Sequence, residues 1–98
     1  MADPWQIDIQ RGAKRDLDQL AKELGDVAYD QILEDILDLQ EDPLPPGHVR
    51  LKGTRDSYRI YTYRSLYRIV YRVLSGKRRI LIDRIRPRGS AYSGLDRW

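Results

Sequence analysis

The dipeptide Tyr-Arg occurs four times within a short stretch, at 58–59, 63–64, 67–68 and 71–72. Arginine forks match phosphate oxygens in pairs, and tyrosine rings stack on unpaired bases. Interleaved on one surface, the two suit single-stranded RNA. An acidic protein partner fits the same surface. So does solubility alone, because arginine on an exposed strand discourages edge-to-edge aggregation. Composition closes most other chemistry. The chain has no cysteine, which removes disulfides, thiolate zinc sites and a cysteine nucleophile. It has one histidine, His48, which removes a two-histidine metal site and weighs against a Ser/His/Asp triad. His48 lies in a Pro/Gly loop and reads as a solvent-facing loop residue. Asp8, Asp16 and Asp18 do not make an acid–base or metal cluster.

The charge is unevenly placed. Residues 1–48 hold 4 Lys/Arg and 12 Asp/Glu, a balance of −8, and residues 49–98 hold 14 and 3, a balance of +11. A half this basic implies an anionic partner, with nucleic acid first and an acidic protein second. The 98 residues make one domain with one hydrophobic core. No apolar run is long enough to span a bilayer, and Met1-Ala2-Asp3-Pro4-Trp5 has no apolar signal core. The cytoplasm is the expected location.

The elements that must carry the arginines follow from periodicity. Gln6-Ile7-Asp8-Ile9-Gln10 alternates as a half-buried strand does. Ala13, Leu17, Leu20, Ala21 and Leu24 share one face of a helix, which Gly25 ends as a C-cap. Asp26 is a candidate N-cap for a second helix, with Ala28, Ile32, Leu33, Ile36 and Leu37 on its apolar face. Asp42-Pro43-Leu44-Pro45-Pro46-Gly47 is a rigid loop. Segments 49–52, 57–63, 66–74 and 79–86, parted by turn signals, read as an antiparallel meander. The tail, 87–98, reads as irregular or a short helical turn. The fold class is therefore α+β: an N-terminal strand, a helical hairpin, then an antiparallel sheet.

Alternation sorts the sheet faces. Tyr58 and Ile60 share one side of their strand, with Arg59, Tyr61 and Tyr63 on the other. Tyr67, Ile69, Tyr71 and Val73 oppose Arg68, Val70 and Arg72. With Ile60 and Ile69 toward the helices, Arg59, Tyr61, Arg68 and Arg72 line the open face. The last strand has Ile80, Ile82 and Arg84 on one side and Leu81 and Ile85 on the other, and alternation alone does not orient it. Trp5 and Trp98 read as packing or terminal anchors, Tyr67 and Tyr71 as core.

These residues carry a family resemblance. Leu51-Lys52-Gly53, Tyr58-Arg59-Ile60, Tyr67-Arg68-Ile69-Val70-Tyr71 and Ile82-Asp83-Arg84-Ile85, then Arg88 and Tyr92, resemble the RelE/ParE superfamily, the toxins of bacterial type II toxin–antitoxin pairs. The resemblance covers essentially the whole chain. It implies a helical hairpin on an antiparallel sheet. It also implies one of two activities: mRNA cleavage in the ribosomal A site, as in the RelE branch, or inhibition of DNA gyrase without cleavage, as in the ParE branch. Carried over position by position, it makes Arg68, Arg88 and Tyr92 the catalytic set and favours the RelE branch. Lys52, Arg59, Tyr61 and Arg86 become RNA or phosphate contacts. No metal or other cofactor is implied. The partners implied are a cognate antitoxin, the ribosome and mRNA. Both helices read acidic and show no recognition-helix pattern, so DNA enters only through the antitoxin.

The reaction implied is attack of a ribose 2′-hydroxyl on its own 3′-phosphodiester, giving a 2′,3′-cyclic phosphate and a 5′-hydroxyl. Tyr92 would be the base. Its ordinary pKa of about 10 leaves about 0.1% phenolate at pH 7, which the cations Arg88, Arg86 and Arg68 would increase. Arg68 would stabilise the phosphorane, Arg88 would neutralise the departing oxygen, and Tyr61 would stack on a base. The sequence departs from the RelE pattern at Tyr61, where a second basic residue is usual, at Leu66, where glycine is frequent, and at Arg86-Pro87. Tyr61 and Pro87 also fit an inactive member that keeps only antitoxin binding.

Overall fold

The computed structural model describes residues 4–89. Its two helices form where the apolar spacing requires them. In α1 (Arg11–Leu24), Ala13, Leu17 and Leu20 are buried along one face, and in α2 (Asp26–Asp38), Ala28, Ile32 and Ile36 are. A single residue, Gly25, joins them at φ 91° and ψ −177°. Side-chain-bearing residues almost never adopt that conformation. Gly25 both ends α1, its N–H donating to the Ala21 carbonyl at 3.0 Å, and precedes the first turn of α2. Asp26 is therefore not the N-cap. It is the first helical residue, where its charge still favours the helix N-terminus.

Among the described residues, five strands form one sheet: β1 (Gln6–Ile9), β2 (Val49–Arg50), β3 (Ser57–Thr62), β4 (Tyr67–Leu74) and β5 (Arg79–Pro87). Their order is β1-β5-β4-β3-β2. Strands β2 to β5 make the expected antiparallel meander. The sheet as a whole is mixed, because β1 lies parallel to β5, with Gln6 opposite Arg79 and Ile9 opposite Ile82. The meander occupies β5's other edge, so β1 completes the sheet on the free one. The first strand is anchored at Trp5, whose carbonyl accepts from Gln40 Nε2 at 3.0 Å and whose ring lies 4.9 Å from the Arg78 guanidinium. Trp98 lies outside the described residues.

A β-bulge orients β5. Val70 faces Arg84 while its neighbour Tyr71 faces Ile82, so Asp83 is the extra residue. The bulge shifts the alternation by one, and Ile80, Ile82 and Ile85 all enter the same core with Leu17, Ile32, Ile36, Ile60, Ile69 and Tyr71. Each such aliphatic side chain, fully buried, contributes on the order of 1.5–3 kcal/mol. Strand β3 ends at Thr62, and Tyr63 begins a turn at φ 44°. That break puts Tyr63 against the core rather than on the open face.

Polar groups tie the layers. The Asp16 carboxylate of α1 accepts from Arg84 Nε at 2.9 Å, Arg84 Nη2 at 3.2 Å and the Ile85 N–H at 2.9 Å. β1 extends along β5 only as far as Ile82, so Asp16 satisfies an edge amide that no described strand reaches. Gly12 permits this approach, since a Cβ there would meet Arg84 Cδ at 3.0 Å. Thr62 Oγ1 donates to Asp35 Oδ2 at 2.6 Å, joining β3 to α2. The fully buried Tyr71 donates its hydroxyl to the Pro43 carbonyl at 2.7 Å, fixing the proline loop. Burial, with Tyr58 and Asp42 nearby, holds that phenol well above its ordinary pKa. No helix among the described residues is long and apolar enough to cross a membrane.

Candidate nucleic-acid interface

Directly opposed residues on neighbouring strands point to the same face. Tyr61 of β3 faces Arg68 of β4, and Arg68 faces Arg86 of β5. The three form one row across the side of the sheet away from the helices. Arg88 follows the end of β5. Its N–H donates to the Leu66 carbonyl at 2.9 Å and its Nη1 to the Ser65 carbonyl at 3.4 Å. Its guanidinium lies over the Tyr61 ring, 4.5 Å from the centroid, and that of Arg59 lies 4.4 Å from the same centroid. The Tyr61 ring thus has two protein cations within 4.5 Å of its centroid.

The turn that meets Arg88 is strained. Tyr63, Arg64 and Ser65 have φ of 44°, 59° and 59°, three successive left-handed residues without a glycine, a conformation costly for each. Leu66, which completes the turn, is 54% exposed. The cost is borne where the turn delivers two carbonyls to Arg88.

The arginines divide into two groups. Arg72 makes a bidentate pair with Asp83, Nε to Oδ2 and Nη2 to Oδ1, both at 2.8 Å. Arg84 pairs with Asp16, and Arg79 with Asp8. The hydrogen bonds that Arg72 and Arg84 donate to Asp83 and Asp16 hold their guanidiniums above the ordinary pKa, against the opposing effect of burial. Arg72 lies on the open face as alternation requires, but its charge is already matched. Arg59, Arg86 and Arg88 pair with no carboxylate among the described residues. Arg68 is only 2% exposed. Arg86 also borders a cleft of about 180 Å³ against Asp16, Gln19 and Glu23 of α1.

The structure therefore gathers Arg59, Tyr61, Arg68, Arg86 and Arg88 at one end of the sheet. It leaves Lys52 elsewhere. Lys52 is exposed in the turn between β2 and β3, beside Leu51, whose N–H donates to the Ser57 carbonyl at 2.8 Å. Ser57 and Tyr61 are about 13 Å apart along β3 at the usual strand rise. Tyr92 lies outside the described residues. His48 is partly buried rather than solvent-facing. Its Nδ1 is 2.8 Å from the Pro45 carbonyl and its ring meets Tyr58 edge-on at 5.7 Å. Tyr58 packs on the core side, so His48 is on the face opposite the arginines. Sequence reasoning misses the positioning roles of Asp16 and Asp83. An aspartate inside the apolar run Ile80-Leu81-Ile82-Asp83 is the available signal for the bulge and its pair. Arg64-Ser65 reads as a turn in the sequence, but nothing there marks the Ser65 carbonyl as a partner of Arg88.

This arrangement is chemically suited to an anion. Cations fixed on a sheet cost little reorganisation when they meet a phosphate.

Comparison with known proteins places the fold and the chain. Escherichia coli toxin RelE, as a double arginine-to-alanine mutant in the free state, superposes with a TM-score of 0.67 at 23% identity, over 89% of this chain and 86% of that one. The archaeal RelE–RelB complex from Pyrococcus horikoshii OT3 gives a TM-score of 0.70 at 27% identity, over 90% and 99%. The chromosomal ParDE toxin–antitoxin system of Pseudomonas aeruginosa gives 0.65 at 22% identity, over 88% and 98%. Among curated proteins, none matches by sequence. The family model for the ParE toxin of the type II toxin–antitoxin system parDE matches residues 7–92. With nearly the whole chain matched and the RelE and ParE folds shared, the chain belongs to the RelE/ParE superfamily of type II toxins.

Proposed function

We propose that this chain is a toxin that cleaves mRNA on the ribosome. The observation that supports the reading is the row Tyr61–Arg68–Arg86 in register across three strands, with Arg59 and Arg88 gathered at Tyr61. In this reading the ribose 2′-oxygen attacks the adjacent phosphorus. The bond from phosphorus to the 5′-oxygen breaks, leaving a 2′,3′-cyclic phosphate and a 5′-hydroxyl. The 2′-hydroxyl proton leaves to a base, the role assigned to Tyr92 by resemblance, and the departing oxygen takes up a proton. Arg59 and Arg88 neutralise the phosphate first. Arg68, in the middle of that row, stabilises the phosphorane. The ribosome supplies the alignment that this cation set lacks on its own. The partner that silences the chain is a cognate antitoxin, as RelB accompanies RelE in the Pyrococcus horikoshii complex. The +11 half suits an acidic antitoxin, and association should slow as salt is added.

The test is incubation of the purified chain with translating ribosomes, mapping mRNA 5′ ends by primer extension, with Arg68→Ala in parallel. Cuts at A-site codons that vanish in the variant support the reading. A second reading, inhibition of DNA gyrase without cleavage, is favoured by the ParE family model and by the burial of Arg68. It requires no cuts and a loss of gyrase supercoiling when the chain is added. Neither effect, with no growth arrest on expression, would mark an inactive toxin.

A further inference from the structure

The Tyr61 ring sits where two cations converge. Arg59 and Arg88 approach from different elements, the middle of β3 and the residue after β5. Both guanidinium carbons lie within 4.5 Å of one ring centroid. No more than about twice that distance separates them. Two like charges so close repel unless something holds them. The electron-rich face of an aromatic ring attracts each one, and two main-chain carbonyls at Leu66 and Ser65 fix the Arg88 side. No carboxylate among the described residues neutralises either guanidinium. The cluster therefore carries net positive charge, which suits an anionic ligand. Bidentate arginine bonds of about 2.8 Å on either side let one phosphate group bridge the pair.

We propose that Tyr61 is a positioning residue: its ring clamps Arg59 and Arg88 together so that both bind a single phosphodiester. The proposal rests on the reading that this face binds nucleic acid. It assigns Tyr61 a part in recognition through the arginines, with no base stacked on it. The phenol hydroxyl has no part in the clamp. Any aromatic ring at 61 keeps it, and an aliphatic side chain of similar size loses it.

The experiment compares wild type with Tyr61→Phe and Tyr61→Leu. The first readout is ¹⁵N NMR of the arginine Nε–H groups, in which a ring above a guanidinium displaces its signal. The second is the affinity of a fluorescent six-nucleotide 2′-O-methyl RNA, which cannot undergo 2′ attack, measured across a salt series. Wild type and Tyr61→Phe are expected to show displaced Arg59 and Arg88 signals and affinities within about twofold of each other. Tyr61→Leu should lose both displacements, bind about 5- to 10-fold more weakly and lower the salt slope by about one phosphate contact. In the Tyr61→Leu background, Arg59→Ala should cost less than in wild type, because the two arginines no longer act as a unit. Undisplaced signals in wild type overturn the clamp. So does Tyr61→Leu binding as wild type does, or Tyr61→Phe losing as much as Tyr61→Leu. Displaced signals with no RNA bound by any form show that the nucleic-acid reading has failed and overturn the phosphodiester as the clamp's ligand. Dispersed amide spectra confirm that each variant is folded.

Discussion

Asp83, the extra residue of the β5 bulge, takes both hydrogen bonds of the Arg72 guanidinium at 2.8 Å. The pair makes the bulge and the open face interdependent. The bulge turns Ile85 into the core and sends Asp83 to the side where Arg72 waits. Asp83→Ala removes two charge-assisted bonds from a carboxylate that is 8% exposed, and Arg72, more exposed, recovers part of its solvation from water. A loss of about 1–3 kcal/mol is expected, read as a lower denaturant midpoint. An unchanged midpoint would show that the pair does not hold the bulge.

Tyr71 gives the fold an alkaline limit. Its phenol is held well above its ordinary value, first by burial and then by Tyr58 and Asp42. Between an ordinary tyrosine pKa of about 10 and the raised one, only the unfolded chain releases this proton, so the native state binds more protons there. Stability from this group is complete below about pH 10 and falls as pH rises, by about 1.4 kcal/mol per unit. Urea denaturation of wild type and Tyr71→Phe from about pH 9 to 11.5 should show the steeper fall in wild type. Parallel curves would count against it. The variant also loses the bond to Pro43 and should start about 1 kcal/mol lower.

Gly25 should tolerate no side chain. A Cβ there meets nothing within 4 Å, so the cost is purely conformational. Gly25→Ala is expected to lose about 1–3 kcal/mol by forcing φ away from 91° and parting the two helices. Thermal unfolding would record it, and a wild-type melting temperature would refute it.

Lys52 and Arg88 should separate in any oligonucleotide-binding assay. Arg88 belongs to the cluster at Tyr61, and Lys52 stands at the other end of β3. Arg88→Ala is expected to weaken binding about tenfold. Lys52→Ala should cost about twofold and leave discrimination between short oligonucleotides unchanged. Equal losses would place the bound strand along the whole length of β3.

Much of the fold is legible because the helical faces, the proline loop and the meander each have a strong local pattern. Ala13, Leu17 and Leu20 recur at helical spacing, and the alternation of Tyr58 to Tyr61 and Tyr67 to Val73 places Arg59, Tyr61, Arg68 and Arg72 on the side of the sheet opposite Ile60 and Ile69, although Arg68 is buried there rather than open. The partner of β1 is not legible, since parallel pairing with a strand 73 residues away leaves no local trace. The orientation of β5 is hidden for a related reason. A one-residue bulge inverts alternation midway, and periodicity read across it averages the two faces. Alternation misplaces Tyr63 because the strand ends one residue earlier and the chain turns left-handed. The charge pattern marks a basic half, yet it does not distinguish Arg72, Arg79 and Arg84, which are matched to carboxylates, from Arg59 and Arg88. Only the tertiary contacts do.

The parallel pairing of β1 with β5 has a consequence for how the chain assembles. Among the described residues, β5 is the only strand neighbour of β1 and lies between β1 and β4, so the earliest strand waits for the latest. A growing chain can form its helical hairpin and the β3–β4 hairpin from local contacts. Ile7 and Ile9 find their sheet only after residues 79–82 exist. Long-range closure of this kind slows folding relative to a helical protein of the same length. The Tyr61 cluster, which draws Arg88 from beyond β5, is completed in the same final step. A chain cut short before β5 would carry most of the basic residues but leave the row at Tyr61 and Arg68 without Arg86 and Arg88.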